Sequence, residues 1–402
     1  MLTPARRAAA ILAAAAALPA SLLITGAITG TAAAAALPHS TAHAPAYQAR
    51  VILNGADLRH RFVPAGKKTT RTEALSSPDD IAVLGHDIYT TFQNGVGPQG
   101  QPSTDGNTDS TIVEFTISGR VVRQWDLHGK CDGITADTAK HLLIATVNED
   151  ANSSIYTITP GARPGQQVVH YRYNIPLPHN GGTDAISIWD GKVLISASAP
   201  GTVGQAAPQP TYPAAYSATF NRGTRVATVK PLFYDEAEAT VANVGKSYGK
   251  KVSLALTDPD SNEVVPSSGP RFANDFMVTS QGDKEQIFYA PNGKLSVLRL
   301  SQSVDDTAWA RSSRGVLVGA NTAGDTIDVV TGRFPARSIF VAVTPCDADN
   351  APATCPAPGF PPNYLGQLNP WTGHISKVDL RGPAFGPQGM VFIGPDWSVE
   401  PG

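Results

Sequence analysis

The sequence repeats a phrase. Asp80, Asp132 and Asp184 stand 52 residues apart, in Asp79-Asp80-Ile81-Ala82-Val83, Cys131-Asp132-Gly133-Ile134-Thr135 and Thr183-Asp184-Ala185-Ile186-Ser187. Each time a short acidic turn leads into a strand-forming run, and more such runs follow before the turn returns. Self-similarity at about 40–50 residues marks stacked architectures whose units cannot bury their apolar faces alone. Four strands per repeat predict a β-propeller. A β-sandwich also turns every 8–12 residues or so, but it does not require a long-period phrase.

The chain is therefore expected to be all-β: a single propeller over residues 76–395, with a tail at 396–402. Its blades are four-stranded antiparallel sheets, six of them, with seven as the alternative. Asp190-Gly191 between two apolar runs is a hairpin signal. The fourth repeat is stretched, since Asp184 to Asp306 spans 122 residues, about two repeats of some 61. Its strands are expected at 252–257, 275–279, 286–289 and 295–300, with 259–271 as an insertion. The fifth repeat opens at Asp305-Asp306-Thr307-Ala308-Trp309 and continues through 316–318, 326–330 and 338–343. An open first or last blade would leave an unpaired edge, so N- and C-terminal strands should close the ring together. Residues 37–75 read as a flexible mature N-terminus that contains this closing strand at 47–53, with a polar loop at 59–71.

Charge excludes one class of partner. Lys plus Arg is 31 against 33 for Asp plus Glu, and no dense basic block exists. A nucleic-acid surface needs clustered cations, so none is expected. Residues 1–36 read as a secretion signal: Arg6-Arg7, an Ala- and Leu-rich run, then Ala34-Ala35-Ala36 as a cleavage site. The expected route is the general secretory one rather than the twin-arginine one. Pro19, Gly26 and Gly30 interrupt the run, so no retained membrane span is expected. The mature protein is then an extracellular monomer. There, Cys346 and Cys355, nine residues apart in a Pro/Asp/Ala loop, are expected to form a disulfide. Cys131 remains as a buried, inert thiol.

The repeated acids are the candidate site. Inner-strand turns of a propeller converge on one mouth of its channel, so Asp80, Asp132, Asp184 and Asp306, with Asn274 or Asp275, should meet there as ligand-binding residues. Asp132, Asp184 and Asp306 could hold Ca²⁺ or another divalent cation, which takes oxygen ligands. The competing reading is structural, because an Asp at a strand entry often caps its own turn. His179, in Pro178-His179-Asn180-Gly181-Gly182, is a candidate base or ligand, with His128 as its repeat partner. Two acidic runs, 148–152 and 258–263, read as a solvated turn and a candidate lid. No serine-nucleophile elbow, phosphate loop or zinc helix motif is present.

Cys131-Asp132-Gly133-Ile134-Thr135-Ala136-Asp137, Asp184-Ala185-Ile186 and Pro387-Gln388-Gly389-Met390-Val391 give the chain a resemblance. It is similar to extracytoplasmic propellers of the gluconolactonase-like and YVTN/lactonase-like families, and Thr257-Asp258-Pro259-Asp260-Ser261-Asn262 and Val304-Asp305-Asp306-Thr307-Ala308-Trp309 resemble phrases of secreted actinobacterial propellers of unassigned function. The gluconolactonase-like resemblance implies a divalent cation held by one Glu, two Asn and one Asp. Here the acid is available, but the Glu and the Asn pair have no identified counterparts. Two functions follow as expectations: a secreted propeller binding a small molecule, glycan or protein partner at the channel mouth, or a metal-dependent lactonase, hydrolase or lyase.

Overall fold

The computed structural model describes residues 47–178, 181–198, 212–346 and 362–397. The secretion signal, His179 and Cys355 lie outside them. Four-stranded antiparallel sheets follow one another along the chain. The first holds Pro78–Leu84, Asp87–Phe92, Asp109–Phe115 and Val121–His128. The second holds Cys131–Asp137, Leu142–Val147, Ser154–Ile158 and Val168–Tyr173. The third holds Ile186–Trp189, Lys192–Ser196, Pro213–Asn221 and Val226–Tyr234. The outermost strands of the second and third touch through two parallel pairs, Arg172 with Val226 and Tyr173 with Ala227, making one eight-stranded sheet.

The fourth sheet is built from Pro259–Val264, Phe276–Ser280, Glu285–Tyr289 and Leu295–Arg299, widened by Glu238–Val241 and Lys251–Ser253. The fifth holds Val304–Trp309, Ile339–Val343, Tyr364–Leu368 and Ile375–Lys377. In the sixth, Met390–Ile393, Val316–Asn321 and Thr326–Gly332 meet the N-terminal strand Tyr47–Asn54, with Leu380–Arg381 at the edge.

Apolar packing links each sheet to the next. One cluster joins Tyr89, Ile112 and Trp125 of the first sheet to Leu143, Ala145 and Tyr156 of the second. Others join second to third, third to fourth, fourth to fifth and fifth to sixth. The last joins Val318, Ile327 and Val329 of the sixth sheet to Ile81, Ile88 and Phe92 of the first. Middle strands are buried on both faces, which is why Leu142–Val147 and Ile339–Val343 read as continuous apolar runs rather than alternating ones.

Three segments differ from expectation. Residues 259–271, expected as an insertion, open with the innermost strand of the fourth sheet, Pro259–Val264. Asp260, Ser261, Asn262 and Glu263 carry no apolar alternation, because this strand is covered by neighbouring backbone and polar side chains. The runs at 316–318 and 326–330, expected in the fifth repeat, pair in the sixth sheet. The loop expected at 59–71 carries a hairpin, Arg59–Phe62 against Arg71–Ala74. Its buried His60 reaches Glu73 through Nε2 at 2.9 Å and Asp126, on the outer strand of the first sheet, through Nδ1 at 3.3 Å.

Candidate functional site

The six innermost strands share one local geometry. In four of them an extra residue bulges at the start, between Pro78 and Ile81, Cys131 and Ile134, Pro259 and Asn262, and Val304 and Thr307. A bulge re-aims the side chains beside it. Aligning the strands on the bulge makes Asp79, Asp132, Asp184, Asp260, Asp305 and Gln388 equivalent, at spacings of 53, 52, 76, 45 and 83 residues. All six line one cavity of about 1000 Å³.

The next position in each strand does a different job. Asp80 Oδ1 accepts from its own Ile81 N–H at 2.7 Å, and Oδ2 accepts from Ile134 N–H of the second sheet, also at 2.7 Å. Asp306 repeats this with Thr307 at 2.6 Å and with Met390, in the sixth sheet, at 2.5 Å. Each carboxylate thus ties its own sheet to the next. The residue before each of these inter-sheet donors is glycine for a steric reason. A Cβ on Gly133 would lie 2.5 Å from the Asp184 carbonyl, and one on Gly389 would lie 2.5 Å from the Asp79 carbonyl. The carbonyls of the lining acids are also gripped from the preceding sheet. Asp184 O accepts from Thr146 Oγ1 at 2.5 Å, Asp260 O from Ser196 Oγ, and Asp305 O from Ser261 Oγ.

The sequence-predicted residues therefore divide. Asp132 and Asp184 line the cavity as register equivalents. Asp80 and Asp306 also border it, but their carboxylates are used as inter-sheet caps. Asn274 lies outside the cavity wall, exposed in a left-handed turn (φ 67°), where its carbonyl accepts from Trp189 Nε1 at 2.9 Å. Asp275 is likewise not among the lining residues. His128 pairs with Asp109 at 3.0 Å on an exposed face. The sequence reading missed Asp79, Asp260, Asp305 and Gln388 as cavity residues.

Thirteen carboxylates and three cationic side chains line the cavity, although the whole chain is nearly balanced. Lys130 lies among the acids: its Nζ is 2.8 Å from Asp132 Oδ1 and also contacts Glu149. Gln93 Nε2 donates to the same Asp132 oxygen at 2.8 Å. Burial would lower the Lys130 ammonium, but the carboxylates of Asp132, Glu149 and Asp79 outweigh it and hold the pKa well above the ordinary value. The acids move the same way for the opposite reason. Burial, then the charges of Asp132 and Asp305, push Asp79 well above the usual carboxylate range. Asp184 and Asp260 are both raised well above the usual carboxylate range by burial and by neighbouring carboxylates, Asp184 being one of those that act on Asp260. Burial pushes Asp80 up to about 7 despite its two backbone donors.

A resident Ca²⁺ held by Asp132, Asp184 and Asp306 does not fit this arrangement. Asp306 is occupied by two amides, and Lys130 sits on Asp132. Among the described residues no three His, Cys, Asp or Glu side chains are grouped as a metal ion requires.

These raised values fix the sign of a pH effect. An acid whose pKa is higher in the folded state binds more protons folded than unfolded, so stability falls as pH rises from the unfolded value towards the folded one. For Asp80 that window runs from 3.8 to about 7. Ligand-free protein is expected to lose on the order of 2–4 kcal/mol of stability between pH 5 and 8, since one pKa unit corresponds to about 1.4 kcal/mol. Urea unfolding midpoints at those two values check it; a midpoint that rises with pH contradicts it.

No family model matches the chain, and no curated protein matches it. Solved structures do resemble it. A streptogramin B lyase shares 12% identity at a TM-score of 0.40, over 85% of this chain and 93% of the other. A protein described as a gluconolactonase shares 12% at 0.43, over 88% and 90%. A chain of a nidogen/laminin complex shares 9% at 0.44, over 86% and 97%.

Proposed function

We propose that this chain is a six-bladed propeller, closed where Tyr47–Asn54 joins the sheet of Met390–Ile393, whose channel binds a small organic cation. One observation carries the reading: five register-equivalent carboxylates from five consecutive inner strands line one cavity. A low-dielectric cleft lined by one sign of charge concentrates ions of the other sign. The walls between the acids are apolar, from Ile134, Ile186, Ile188 and Met390, which suits an ammonium group on a hydrocarbon body. Cation binding favours the charged form of each acid, so the complex releases protons.

The test is a thermal-shift screen of putrescine, choline and agmatine against succinate and glucose. The cations raise the melting temperature, and the anion and neutral compound do not. Equal shifts from all five remove the reading.

A second reading, lyase or lactonase chemistry without a metal step, is favoured by the Asp184–Asp260 pair. Two neighbouring carboxyls whose pKa values are both raised could supply an acid and a base side by side. Lactone and ester turnover that is lost in Asp260→Asn, with folding intact, would establish it.

We also infer secretion, on the signal-like residues 1–36, and a Cys346–Cys355 disulfide in the mature chain. Among the described residues no helix is long and apolar enough to cross a membrane. Cys131 is a buried free thiol. Denatured, secreted protein is therefore expected to titrate one thiol without reductant and three with it; three in both conditions contradicts the disulfide.

A further inference from the structure

Three of the exposed large apolar side chains gather at one place on the surface. Val244, Tyr248 and Trp371 are 59%, 60% and 49% exposed, on the turns following Glu238–Val241 and Tyr364–Leu368. These turns are fixed to each other. Val244 N–H donates to the Trp371 carbonyl at 2.8 Å, and Asn243 Nδ2 donates to the carbonyls of Arg299 and Thr372, each at 2.8 Å. Asn369 Oδ1 accepts from the amides of Trp371 and Thr372.

Arg271 lies between the turns. Its guanidinium carbon is 4.5 Å from the Phe272 ring centre and 4.9 Å from that of Trp371. It donates through Nη1 to the Pro370 carbonyl at 2.8 Å, and it bonds the Tyr248 hydroxyl. Burial lowers its pKa, and among the described residues no carboxylate contributes a counter-charge. Lys246 and Lys250, both exposed, add two further cations on the same turn.

We propose that Trp371, Tyr248 and Arg271 form a surface site for an acidic saccharide, with a uronate ring stacked on the indole and its carboxylate met by the guanidinium. Exposed aromatic rings offer a flat apolar face with a polar edge, which suits the C–H face of a sugar. Guanidinium matches carboxylate geometry through paired N–H donors. Protein partners usually need about 800 Å² on each side, far more than two rings and a valine offer. The fixed turns keep the ordering cost of binding low.

The test titrates trigalacturonate and its neutral counterpart galactotriose into the full mature protein, by calorimetry. Trigalacturonate is expected to bind saturably and at least tenfold more tightly than galactotriose. Trp371→Ala and Arg271→Gln should each weaken it at least tenfold. Arg271 also braces the turns, so its variant is accompanied by Tyr248→Ala, which removes an exposed ring and should weaken binding with an unchanged melting curve. Absence of binding to wild type overturns the site, and so does equal binding by Trp371→Ala. Equal affinity for the two oligosaccharides overturns its acidic preference. Self-association that Trp371→Ala abolishes, without saccharide binding, also overturns it.

Discussion

Asp306→Ala is expected to destabilise the protein by about 2–5 kcal/mol, because it leaves two buried amides without an acceptor at about 1–3 kcal/mol each. Those amides belong to Thr307, on the same strand, and to Met390, on the innermost strand of the sixth sheet. The loss therefore falls where the last sheet meets the one before it. Asp306→Asn keeps the shape and one acceptor oxygen but turns an amino group towards a donor, so roughly half the loss should remain. Urea unfolding of the three proteins measures this directly. A Met390-side cap of no consequence would leave Asp306→Ala within about 0.5 kcal/mol of wild type, the ordinary range for an inert surface change. Asp80→Ala should follow the same pattern between the first and second sheets, with a smaller loss because Asp80 is only partly buried.

Lys130→Met should cost about 3–5 kcal/mol at pH 8, the usual result of removing one partner from a buried charge pair. The Lys130 side chain is only 16% exposed, and Asp132 beside it is 3% exposed. Without the ammonium, Asp132, Glu149 and Asp79 lose the cation that holds their charges together. Their protonation relieves the repulsion, so the same variant at pH 5 should lose less than half as much. Paired unfolding curves at the two pH values decide the matter. An identical loss at both would mean that Lys130 acts through its packing rather than its charge.

Much of the architecture is legible in the sequence, and the places where reading stops have physical causes. The 52-residue phrase locates three of the inner strands because their turns and hairpins are of similar length. It does not choose between neighbouring acids. Asp79-Asp80 and Asp305-Asp306 are doublets: the spacing picks the second member of the first, and the echo of that phrase picks Asp306. The bulge sets the opposite alignment: the first Asp lines the cavity and the second caps the next sheet. A bulge adds a residue without changing composition, so only the ladder register reveals it. Asp260 is hidden for another reason. The 76 residues before it hold two extra edge strands, and its own strand has no apolar alternation to announce it. Gln388 stands in the phrase Pro387-Gln388-Gly389-Met390, but an amide in an acid's place carries no charge signal.

The central claim is that the channel acids bind an organic cation, and calorimetric titration of putrescine, choline and agmatine at pH 5.5 and 7.5 tests it most directly. The account predicts saturable binding of at least one of them, tighter at pH 7.5. Its heat should vary with the ionisation enthalpy of the buffer, because protons leave the acids. The double variant Asp184→Asn/Asp260→Asn should bind at least tenfold more weakly. No saturable binding to wild type, or an affinity indifferent to both pH and the double variant, would contradict it.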